Sequence, residues 1–155
     1  MKNKAILVIA ILSLFISCKQ SFIYKNEIPI TNMQWDSSQI IRFNWEVQDT
    51  AVWYQLNLKL KHALELEYQN LYVKSITEFP DQSQKEQILS FELFDNSGKP
   101  TGTCGSTSCT TEISLLPKFK FPQLGKYQLS LEQFSRDQSV NGIASFKLEV
   151  SKIQE

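Results

Sequence analysis

The strongest constraint on this chain is a two-residue alternation of apolar and polar side chains that recurs along most of its length. Ile41, Phe43, Trp45 and Val47 alternate with Arg42, Asn44 and Glu46, and Tyr54, Leu56, Leu58 and Leu60 alternate with Gln55, Asn57, Lys59 and Lys61. The same period returns at Leu89, Phe91 and Leu93, at Ile113 and Leu115, at Tyr127, Leu129 and Leu131, and at Phe146, Leu148 and Val150. Successive side chains of an extended strand point to opposite faces, so each segment makes a strand with one apolar and one wetted face, as in antiparallel sheet. Turn-forming residues separate the runs at Phe79–Ser83, Asp95–Pro100, Phe121–Lys126 and Val140–Gly142. About six to nine short strands of this kind must bury their apolar faces together. An all-β, jelly-roll-like sandwich of two antiparallel sheets does so, with a closed barrel as the alternative. No long window favours a 3.6-residue period, so little helix is expected.

The N-terminus follows a different rule. Lys2 and Lys4 precede an apolar run through Ser17, the layout of a secretory leader. As a helix, Ala5–Ile16 would be roughly 18 Å long, well short of the roughly 30 Å hydrocarbon core, which favours removal of the leader over a permanent span. Phe15-Ile16-Ser17-Cys18 resembles a bacterial lipobox, with Phe15 where leucine is preferred. In that pathway the cysteine thiol receives a diacylglycerol, the leader is cut before it, and the new amine takes a palmitate-type chain. At about 0.8 kcal/mol per buried CH₂, more than one chain makes a stable membrane anchor. The expected organisation is a signal peptide over 1–17, a lipid-anchored tether over 18–32, and a β-sandwich over 33–155.

Removing 17 of 155 residues leaves 138, enough for one domain with its own core. Losing Lys2 and Lys4 turns 16 Lys+Arg into 14 against 16 Asp+Glu, a formal −2. With no basic patch in the sequence, nucleic acid is not an expected partner.

Further along, Leu66–Ile76, Leu89–Gly102 and Gly125–Ile143 carry a recognisable pattern. Tyr68 and Asn70-Leu71-Tyr72 precede a strand, Gly98 and Gly102 mark a turn, and Gly125 and Tyr127 open a strand ending in Glu132-Gln133. Arg136 and Gly142-Ile143 follow. This resembles the gliding motility lipoprotein GldH family of Bacteroidetes, departing from it at Pro100 and at Ser135-Arg136. The resemblance implies a non-enzymatic, outer-membrane-anchored component of gliding and of the protein secretion machinery coupled to it, with other envelope proteins as partners. Surface-export tags of Bacteroidetes lipoproteins place acidic residues just after the cysteine. Lys19-Gln20-Ser21-Phe22 has none, which implies the periplasmic face.

The residues themselves suggest little chemistry. His62, the only histidine, ends an alternating strand and reads as structural, while Glu65 and Glu67 point the same way on an extended segment and read as solvated. No phosphate-binding glycine loop is present, and nothing calls for a cofactor or a metal. Cys104 and Cys109 are expected to form a disulfide in an exported protein. A second function class is a carbohydrate-binding envelope lipoprotein, for which Trp35, Trp45 and Trp53 would be the stacking platforms. Trp45 sits in the apolar phase of its strand. Trp53 falls out of phase with Tyr54, and Phe119 lies between Pro117 and Pro122 in an expected edge or loop, so Trp53 and Phe119 are the expected partner surface.

Overall fold

The computed structural model describes residues 21–153, so the leader and Cys18 lie outside the described residues. The strands are β1 Ser21–Pro29, β2 Gln34–Asp36, β3 Ile41–Val47, β4 Tyr54–Ala63, β5 Asn70–Glu78 and β6 Gln84–Glu92, followed by β7 Thr103–Cys104, β8 Ser108–Phe119, β9 Gly125–Gln133, β10 Ser139–Asn141 and β11 Ile143–Lys152. One sheet has the order β1-β11-β4-β8-β7, the facing sheet β3-β9-β5-β6, and β10 pairs with β2 in a small ribbon. The only helical element among the described residues is a single 3₁₀ turn, Thr31–Met33.

The eight longer strands pair first with last. β1 lies antiparallel to β11, β3 to β9, β4 to β8 and β5 to β6. The chain is therefore one long antiparallel ribbon doubled at the β5–β6 turn. Cross-pairing of β11 with β4 and of β9 with β5 rolls that ribbon into two sheets. This is a jelly-roll sandwich, open at its edges and not a closed barrel.

The alternation becomes the core directly. β3 reads buried at Ile41, Phe43, Trp45 and Val47 and exposed between them. Leu58, Leu60, Val73, Leu131, Phe146, Leu148 and Val150 are wholly buried, each worth roughly 1.5–3 kcal/mol relative to exposure. Trp35 on β2 closes one end of this core against Phe146, ring centroids 4.7 Å apart, and its Nε1 donates to the Gln39 carbonyl at 2.9 Å. Turns repeat one device. The Oδ1 atoms of Asp36, Asp81 and Asp95 accept from the backbone N–H and the hydroxyl of the serine two residues on. Gly142 takes φ +92 between β10 and β11, where a Cβ would meet Leu66 Cδ1 at 2.8 Å.

Two expectations need correction. Ser21–Pro29, expected within a tether over 18–32, is a nine-residue strand, so the sandwich already includes these residues and does not start at residue 33. A register shift between Phe22 and Tyr24 breaks the alternation there, and only one face of this edge strand packs, through Ile23, Tyr24 and Ile28. The strand total also exceeds nine, because β2, β7 and β10 are two or three residues long, too short to show any period.

On the outer face, Glu149 of β11 is buried beneath lysine stems. Its carboxylate meets Lys59 Nζ at 2.9 Å and Lys25 Nζ at 3.1 Å, clamping β1, β11 and β4 together. Burial alone would raise its pKa, but hydrogen bonds and charge from Lys59 and Lys25 hold it below the ordinary carboxylate range. A depressed folded-state pKa stabilises the fold above the unfolded-state value, and that contribution disappears as pH falls through the folded one. Glu149→Gln should therefore cost about 1–2 kcal/mol at neutral pH. Urea titrations should find the difference from the parent shrinking as the pH falls below the ordinary carboxylate range.

Candidate functional site

The two ends of the sandwich differ chemically. At the first end, Ser21 pairs with Lys152, Lys152 with Tyr54, and Tyr54 with Phe119, forming one row across the sheet. The loop before β4 and the loop after β8 lie here. Trp53 accepts a backbone bond from Ile153 N–H at 2.8 Å, and its ring lies 4.8 and 4.9 Å from Lys118 and Lys120 Nζ. Trp53, expected from its out-of-phase position to be exposed, is half-buried and cation-covered, and Phe119 is not a free surface either. The Phe119 ring packs 4.7 Å from Phe121 and 6.3 Å from Tyr54, so it walls the core. Pro117 occupies β8 where register slips between Leu56 and Tyr54, the bulged edge setting in which proline is tolerated. Beside it, the free edges of β6 and β8 leave an apolar cleft of about 290 Å³, bordered by Trp45, Leu89, Leu115 and Phe119.

At the opposite end, the start of β5 and the chain just after β9 form a groove of about 680 Å³ lined by Tyr68, Asn70, Tyr72, Phe134, Arg136 and Asp137. Val73 pairs with Gln133, and Phe134 N–H donates to the Tyr72 carbonyl at 3.0 Å, which holds the two segments side by side. Tyr72 and Phe134 are 49% and 54% exposed. The Tyr68 hydroxyl donates to the Asp137 carboxylate, and this bond raises the Tyr68 pKa. Two exposed rings beside a guanidinium and a carboxylate suit a binding surface: the rings supply apolar area and Arg136 a planar donor fork. The sequence patterns single out Tyr68, Asn70–Tyr72 and Arg136, but Phe134 is missed. Its signal was available, since Tyr72 is an aromatic in the polar phase of β5 and Phe134, one residue past β9, continues the polar phase of that strand.

The remaining candidates are scattered. His62 is buried on β4, its Nδ1–H donating to the Ala63 carbonyl at 2.8 Å, which leaves Nε2 to accept from the Thr111 hydroxyl at 3.3 Å. Burial lowers its pKa, only partly offset by the Ala63 bond, so it is a neutral core residue. Glu65 and Glu67 are exposed on the loop after β4. Among the described residues, no three His, Cys, Asp or Glu side chains gather as a metal site. Trp35 and Trp45 are buried and so offer no stacking platform. Among the described residues, the Trp45 Nε1 donor lacks a partner.

Cys104 and Cys109 form a disulfide between register partners of β7 and β8. The loop it closes is so short that its chain-entropy contribution is about 2 kcal/mol. A Cys104→Ser/Cys109→Ser protein should keep its circular dichroism spectrum while losing no more than that in a urea titration.

Residues 22–150 match a family model described as GldH lipoprotein. The chain is also 23% identical over 131 residues to a gliding motility lipoprotein GldH homologue of Christiangramia forsetii, covering 84% of this chain and 80% of that protein. A CocE/NonD family hydrolase from Staphylococcus aureus superposes with a TM-score of 0.37 at 11% identity, over 86% of this chain and 34% of the hydrolase. A likeness that weak says nothing about activity.

Proposed function

We propose that this chain, which belongs to the GldH lipoprotein family, is held to the outer membrane by acyl chains on Cys18. We further propose that it works without catalysis, as an interaction component of gliding motility and the protein secretion machinery coupled to it. The observation that carries this reading is the distal groove. It gathers Tyr68–Tyr72, a segment of the family pattern, with Phe134–Asp137, which includes the departure at Ser135-Arg136, at the end of the sandwich opposite the start of β1. Exposed rings and paired charge there suit a partner protein, and the other envelope components are the natural candidates. The lack of acidic residues after Cys18 favours the periplasmic face. A carbohydrate-binding role draws less support, because two of its three tryptophans are in the core.

Cys18→Ala should move the protein from the membrane to the soluble fraction and abolish palmitate labelling; retention of both would overturn the anchor. With Cys18 intact, Tyr72→Ala combined with Phe134→Ala should leave folding and acylation unchanged while removing partner copurification and gliding. Unchanged copurification would move the partner surface elsewhere.

A further inference from the structure

We infer that the sandwich end bearing Trp53, Lys118 and Lys120 lies against the lipid surface, so that the domain is docked on the membrane and does not swing on a leash. This rests on Cys18 acylation, proposed above. Only three peptide steps separate Cys18 from Ser21, a reach of at most about 10 Å in any conformation. From Ser21 the row through Lys152, Tyr54 and Phe119 crosses four strands, roughly 14 Å at the usual spacing. An anchor on Cys18 therefore brings this whole end of the sheet to the bilayer, whereas a flexible tether over 18–32 would have left orientation free.

The side chains at that end have the character of a membrane interface. Trp53 presents an indole flanked by two long cationic side chains, with Lys118 and Lys120 Nζ within 4.9 Å of its ring centroid. Leu124 in the following loop is 59% exposed, and Phe22 on β1 is exposed beside Lys25. Indole settles at headgroup depth, and lysine stems lie along apolar surface while their ammonium groups reach phosphates. Acidic groups are interspersed at this end: Asp49 meets Lys152 at 3.9 Å, Asp81 is held by Ser83 and Gln123, Glu78 accepts from Gln84 at 3.2 Å, and Glu46 stands opposite Lys126 in the β3–β9 register. The Tyr72–Phe134 end instead pairs its rings with both Arg136 and Asp137.

The test uses acylated full-length protein in vesicles of phosphatidylethanolamine and phosphatidylglycerol whose acyl chains are brominated near the headgroup. Trp53 fluorescence should be quenched and Trp53→Phe should remove the quenched component, since the buried Trp35 and Trp45 remain as an unquenched reference. In the unacylated Cys18→Ala protein, Lys118→Gln combined with Lys120→Gln should lower partitioning onto the same vesicles by roughly 30-fold. Protein that floats with vesicles but shows no Trp53 quenching would overturn the docking while leaving the anchor standing. Protein with native Cys18 that fails to float would remove the anchor and the docking with it. Trp53-dependent capture of an envelope protein, without quenching by lipid, would assign this end to a protein partner instead.

Discussion

The antiparallel ladder between β1 and β11 is the constraint on which the rest depends. It runs from Ser21 opposite Lys152 to Pro29 opposite Ser145, joining the first and last strands of the domain. Polar contacts reinforce it: Lys25 to Glu149, the Ser145 hydroxyl to Glu27 at 2.6 Å, and Ile30 N–H to the Ala144 carbonyl at 2.8 Å. Closing the chain's two ends in this way sets the pairing order of the ribbon inside it, because β3 then lies with β9 and β4 with β8. The same ladder also gives the domain a direction. Its Ser21 end leads to Cys18, and the strands carry the Tyr72–Phe134 groove roughly 30 Å away, the length of nine or ten extended residues.

A domain with such a direction separates its tasks spatially. One end carries lysines around a half-buried indole beside an aromatic wall of Tyr54, Phe119 and Phe121. The other carries exposed rings with both signs of charge. Between them the wetted faces are occupied by ion pairs such as Lys59–Glu149 and Lys74–Glu86, which keep the flanks polar. We therefore place specific contact at the tips, where loops can vary without disturbing the ladder.

Much of this was legible in the chain because alternation survives wherever a strand has one buried face. β3 and β4 follow their periods almost residue for residue, while the inner strands β9 and β11 keep their apolar phase but also bury polar-phase residues such as Ser130, Ser145 and Glu149. The first strand was illegible because a bulge after Phe22 breaks its phase, and β2 and β10 because three residues hold no period. Phe119 shows the limit of reading exposure from prolines: Pro117 sits in a bulged edge strand, one of the two settings expected, yet the phenylalanine between the prolines turns inward. The groove was half legible. Its two segments lie far apart in sequence, and only the β5–β9 register brings Phe134 beside Tyr72.

The central claim is that β1 commits one end of the sandwich to the membrane and leaves the other free. Amide hydrogen exchange on the acylated protein, compared in vesicles and after release of its lipid, tests this most directly. Protection should rise in residues 48–53 and 120–124 when the bilayer is present, and residues 134–138 should exchange alike in both states. Bilayer-dependent protection at 134–138 with none at 48–53 and 120–124 would contradict the account.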